Sequence, residues 1–136
     1  MDEQSISVLR NLKLTDIHRK HEDVAFTFAA DDGTGYILMT DTFFRITDGD
    51  SILVTGTDMF LRDGCDDELD GFAWDEPGAN SFDQWLRCGL PEPVGQTVVS
   101  AEFSKYNDLI LRFSGGVVLT LYPECTDNRE YWRIIR

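Results

Sequence analysis

Positive charge is what this chain has least of. Twelve Lys and Arg stand against 25 Asp and Glu, which leaves −13 at pH 7. A phosphate backbone would repel such a chain, which argues against nucleic acid as a partner. Anionic lipid headgroups would repel it too, which argues against a membrane surface. Basic proteins and cations are more compatible with this charge, and the plain alternative is that the acidity keeps the protein soluble. Long apolar runs are also missing: none approaches the roughly 18 residues that a membrane-spanning helix needs. The start, Met1-Asp2-Glu3-Gln4, is acidic and has no apolar stretch of the signal-peptide kind, so a cytoplasmic protein is expected.

Cysteine is limited to Cys65, Cys88 and Cys125, an odd number with no Cys-x-x-Cys. Reduced thiols fit this better than a disulfide framework or a zinc site. Histidine is limited to His18 and His21. Three apart on a strand, they point to opposite faces and make a poor metal pair. Nucleophilic machinery is missing as well. There is no Gly-x-Ser-x-Gly elbow and no Gly-rich phosphate loop followed by Lys and Ser or Thr. Cys88 falls at the end of an expected helix, away from the N-terminal dipole that activates a thiol, and reads as buried or inert. Glu102, Tyr106 and His21 sit near strand ends, but nothing in the sequence joins them into a set. The chain reads as non-enzymatic, with no cofactor and no metal.

What is present is β patterning. Leu109, Leu111 and Phe113 alternate, then Ser114-Gly115-Gly116 turns the chain, then Val117, Leu119 and Leu121 alternate. Two period-2 runs joined by such a turn signal a hairpin. Val24, Phe26 and Phe28 give the same signal, followed by Asp31-Asp32-Gly33 and a return strand through Met39. Residues 2–12 fit two readings: Ile6, Leu9 and Leu12 are spaced for a short helical stripe, and a strand is the alternative. Leu14 to His21 reads as an edge strand with Ile17 inward. In a strand from Val98 to Phe103, strict alternation puts Val98, Ser100 and Glu102 on one face and Val99, Ala101 and Phe103 on the other.

The halves correspond. Asp23 to Phe28 matches Asp108 to Phe113, and Phe43-Phe44-Arg45-Ile46 matches Tyr131-Trp132-Arg133-Ile134. One strand–hairpin–strand unit used twice explains this, and such a unit cannot bury its apolar face alone. The expected fold is mainly β (α+β): two antiparallel β-meander repeats forming a sandwich or open barrel, with one or two short helices. A single domain spans 1–136, with a first β unit at 15–56, an acidic insert at 57–96 and a second β unit at 97–136.

From Asp58 to Asp83 the insert carries nine acidic residues and one base, Arg62. Its bulky apolar residues, Phe60, Phe72, Trp74 and Phe82 among them, distinguish it from a disordered linker. Ser81 is expected to cap a helix from Phe82 to Cys88, with Phe82, Trp85 and Leu86 inward. Asp66-x-Glu68-x-Asp70-Gly71 resembles the start of a calcium loop, but position 12 is Pro77 where a Glu is due. Trp74 among carboxylates suits an interface anchor, or else a plug that holds the insert down.

From Val98 to Arg133, the strand Leu109–Phe113, the turn Gly115-Gly116, the strand Leu119–Leu121 and the ending Glu130-Tyr131-Trp132 resemble a group of small bacterial domains of unknown function. Their mark is a duplicated strand–hairpin–strand unit ending in an acidic-aromatic-Trp strand. The resemblance implies a binding role, by analogy that of an immunity protein. The expected function is a bacterial non-enzymatic binding protein that neutralises a basic toxin, with Asp63, Asp66, Asp67, Asp70 and Trp74 as contacts. The alternatives are a structural or homodimeric β domain and a divalent-cation-binding domain.

Overall fold

A computed structural model describes residues 3–61, 73–88, 93–127 and 129–136. The chain is mainly β: the described residues form nine strands in two antiparallel sheets, with no closed barrel among them. The first three strands are β1 (Lys13–Lys20), β2 (Asp23–Ala29) and β3 (Gly35–Thr40); then come β4 (Phe44–Thr47) and β5 (Ile52–Thr55). After the insert follow β6 (Val98–Phe103), β7 (Leu109–Phe113), β8 (Val118–Leu121) and β9 (Trp132–Ile135). The described residues also hold two short α-helices, α1 (Glu3–Ile6) and α2 (Ser81–Arg87), and two 3-10 turns.

Each meander gives its last strand to the opposite sheet. One sheet runs β1-β2-β3-β9 and the other β5-β4-β8-β7-β6. Thr40 pairs with Trp132 and Leu38 with Ile134; likewise Leu121 pairs with Phe44 and Leu119 with Ile46. The alternating apolar residues therefore all point between the sheets. Val24, Phe26, Phe28, Leu109 and Leu111 are fully buried. Across the interior Phe28 stacks on Phe113 at 6.4 Å, and Phe26 meets Phe44 edge-on at 5.4 Å. Burying side chains of this size contributes about 1.5–3 kcal/mol each, before the entropy of ordering them. Gly116 (φ +87°) makes the β7–β8 turn where a side chain would be strained.

The edge-strand expectation for Leu14 to His21 holds: β1 lies at the sheet edge with Ile17 buried. The helical stripe holds as well. Ile6, Leu9 and Leu12 are buried under α1 and a following 3-10 turn. The Leu14 N–H donates to the Gln96 carbonyl (2.9 Å) and the Val98 N–H to Leu12 (2.8 Å), so the starts of β1 and β6 are stitched together.

The strict alternation expected of β6 fails. A bulge between Val98 and Ser100 adds one residue to the strand. Val98 is therefore buried, Val99 is turned out, and Ala101 and Phe103 pack against the core. β1 carries the same kind of bulge, between Leu14 and Asp16.

Candidate partner-binding surface

Asp63, Asp66, Asp67 and Asp70 lie outside the described residues, as do Cys65 and the calcium-like run Asp66–Gly71. Trp74 and the two flanks of the insert are described, and they show how it is fastened. On the first flank, a 3-10 turn (Gly56–Phe60) follows β5, and the Thr55 N–H donates to the Asp58 carboxylate (2.8 Å). Phe60 then meets Trp74 edge-on at 4.7 Å.

The second flank is α2. Its cap is Asn80, one residue earlier than expected at Ser81. The Asn80 Oδ1 accepts the Asp83 N–H (2.8 Å), and Nδ2 donates to the Trp74 carbonyl (2.7 Å). One amide side chain thereby ties the helix start to the Trp74 backbone, which a serine hydroxyl is too short to do. Phe82 is fully buried and lies edge-on against Phe44 at 5.8 Å. Trp85 and Leu86 pack at the margin of the core.

The fastening centres on Arg19, which sequence reasoning missed. Arg19 Nε and Nη2 donate to the two Asp83 carboxylate oxygens at 2.8 and 2.7 Å. Nη1 donates to the His21 carbonyl (2.7 Å) and Asp75 Oδ1 (3.4 Å), and Nη2 to the Asp75 carbonyl (3.3 Å). These bonds use all five guanidinium donors. The Arg19 side chain is 2% exposed and that of Asp83 is 11% exposed. The Gly78 N–H also donates to Asp83 (2.8 Å). His21 Nδ1 lies 2.7 Å from Asp75 Oδ2, and the Arg19 guanidinium lies 5.9 Å from the centre of the Trp74 ring.

The electrostatics follow from this geometry. The Asp83 hydrogen bonds and charge raise Arg19 above its usual range against the opposing effect of burial. Burial by itself pushes the Asp83 carboxyl up; the Arg19 hydrogen bonds, the Gly78 N–H and the nearby cations outweigh it and hold Asp83 low. A signal for Arg19 existed. It stands two residues after Ile17 on a strand and so shares the inward face. Its neighbours in His-Arg-Lys-His hid it.

Trp74 sits within this fastening, half-buried, between Phe60 and the Arg19 guanidinium. The remaining sequence candidates lie apart. Glu102 pairs with Arg112 across β6 and β7 (3.2 Å), and Tyr106 is 74% exposed on the β6–β7 turn. Cys88 is an exposed thiol, not a buried one, because α2 ends there and turns it outward. Among the described residues no three His, Cys, Asp or Glu side chains are grouped to hold a metal ion. No helix of the described residues is long and apolar enough to cross a membrane.

A second concavity of about 600 Å³ opens between the β6–β7 turn and the β8–β9 link. Tyr131 forms part of its wall. Its hydroxyl donates to the Cys125 carbonyl (2.8 Å) and lies 3.2 Å from Cys125 Sγ. Hydrogen bonding to the Cys125 thiol, with some desolvation, pushes the Tyr131 phenol up to about 12. Arg129 donates to the Asp127 carboxylate from Nε and Nη2, which holds that carboxyl low.

No protein family, curated protein or solved structure matches this chain.

Proposed function

We propose that the chain is a non-enzymatic binding protein whose acidic insert receives a basic protein, in its sharpest form a bacterial cytoplasmic immunity protein that covers a basic toxin. One observation carries the reading. The segment holding Asp63, Asp66, Asp67, Glu68 and Asp70 against Arg62 is bracketed by two anchored flanks. Phe60 before the segment meets Trp74 after it, and the buried Arg19–Asp83 pair fastens the second flank further. A carboxylate-rich stretch held at both ends loses less conformational freedom on binding than a free tail of the same composition. Opposite charge then speeds encounter with a basic surface. Trp74 contributes from within the anchored flank.

The matched units are read as a duplication. What supports this is register. Val24–Thr40, Phe26–Leu38 and Phe28–Tyr36 pair in the first meander as Leu109–Leu121 and Leu111–Leu119 pair in the second. The bulges at Leu14/Asp16 and Val98/Ser100 also fall opposite Phe28 and Phe113, at the same place in each unit. The kinship with small bacterial domains of this plan is part of the same proposal.

The test reverses three charges, Asp63→Lys, Asp66→Lys and Asp67→Lys. Stopped-flow association is measured against a basic nuclease-type toxin, the partner class this reading names. The rate is expected to fall about tenfold or more at low salt; an unchanged rate removes the reading. Homodimerisation is the second reading, favoured by the apolar side chains on edge strands: Ile52 on β5 and Val99 on β6 are 56% and 49% exposed. Sedimentation at micromolar concentration separates the two.

A further inference from the structure

Two clefts occupy corresponding places in the two meanders. In the first, Arg19 is the last inward residue of β1, opposite Val24, and Phe44 opens β4. In the second, Phe103 ends β6 opposite Leu109, and Trp132 opens β9. The first cleft is filled by this chain's own insert: Phe82 lies on Phe44 and Asp83 binds Arg19. The second is open among the described residues. Its floor is the Phe103–Trp132 stack at 6.2 Å, Tyr106 stands on its rim, and its volume is about 600 Å³.

We propose that this groove docks a basic segment of a partner protein that carries an aromatic side chain. The inference rests on the reading of the chain as an acidic binding protein and gives that partner a second point of contact. The volume suits a few side chains of a peptide. The first cleft needs a carboxylate from its occupant, because Arg19 lies in it. The second offers the Phe103 ring at that place, so its occupant supplies an apolar or aromatic group, and ring-on-ring packing favours the aromatic one.

The sign of the occupant's charge follows from the lining. A crevice of about 230 Å³ shares Glu130, Tyr131 and Trp132 with the groove. Together the two are lined by Asp23, Asp41, Asp127 and Glu130 against Arg129 and Arg133. Both arginines are already engaged, with Asp127 and Glu130 respectively. The excess is negative, as is the chain at −13. The Tyr106 ring on the rim already carries Lys105, whose Nζ lies 5.6 Å from its centre, so an incoming Lys or Arg is drawn to Asp23 and Asp41 at the crevice end instead. A second copy of this chain would bring acidic surface to an acidic lining and does not complement this groove.

The experiment uses the full chain and two fluorescein-labelled dodecapeptides of equal positive charge. One alternates Lys with Trp, and the other alternates Lys with Ala. The Trp peptide is expected to bind about tenfold or more tightly than the Ala peptide, and Tyr106→Ala with Glu130→Gln to remove about that advantage. Amide NMR shifts should map to residues 103–107 and 125–132. Far-UV circular dichroism checks that the variant folds. Equal binding of the two peptides, absence of binding, binding unaffected by the double variant or shifts elsewhere would overturn the proposal. The Asp63, Asp66 and Asp67 reversal separates it from the wider reading. A partner lost only on that reversal leaves the insert reading standing and removes the groove. A partner lost only on the Tyr106/Glu130 variant does the opposite.

Discussion

Arg19 and Asp83 show how much one buried pair can hold. Neither charge is tolerable alone in that site, since removal of one partner strands the other without water. Arg19→Ala is expected to destabilise the protein by about 3–5 kcal/mol, read as a lowered midpoint in urea. The double change Arg19→Leu with Asp83→Leu should recover a large part of that, because two apolar side chains leave no orphaned charge. Equal losses for single and double variants would mean that packing, not charge, accounts for the effect. The pair also sets a pH dependence. The folded-state Asp83 carboxyl lies below its unfolded value of roughly 3.9. Its contribution is therefore complete above about pH 4 and is lost as pH falls through the lower folded value. Urea midpoints taken between pH 7 and pH 2.5 should fall at the acid end, and Asp83→Asn should flatten that fall.

Strands and helix were legible where the period was clean. The run Leu109, Leu111, Phe113 required no tertiary information, and all three are buried. The phase of β6 was not legible, because a bulge is fixed by pairing with β7 and not by the residues of β6 itself. This gives a contrast within one sheet. Leu111→Ala should cost about 2–5 kcal/mol, as a cavity in a packed core does. Val99→Ala should change stability by no more than about 0.5 kcal/mol, since the bulge turns it to solvent. Thermal unfolding of both variants checks the contrast, and a large loss at Val99 would contradict the bulge. The cap of α2 shows the same limit. Asn80 and Ser81 are adjacent cap formers, and the choice fell to the one whose amide also reaches the Trp74 carbonyl.

At the scale of the molecule, the sheets trade their last strands, and the described flanks of the insert pack against the core through Phe82 and Arg19. Charge acts at this scale too, because −13 is spread along the whole chain. The remaining association with a basic partner after charge reversal at Asp63, Asp66 and Asp67 should still slow with added salt, since the other carboxylates continue to steer it.

The amino-acid order alone determined the β class, the clean alternation of the hairpin strands and the acidity of the insert, because alternation, turn residues and charge are local properties. It could not determine that β4 would pair with β8 and β9 with β3, that Arg19 would be sealed against Asp83 64 residues later, or that one cleft would be filled and its counterpart open. Those outcomes depend on which distant surfaces meet, and only the packed chain decides that.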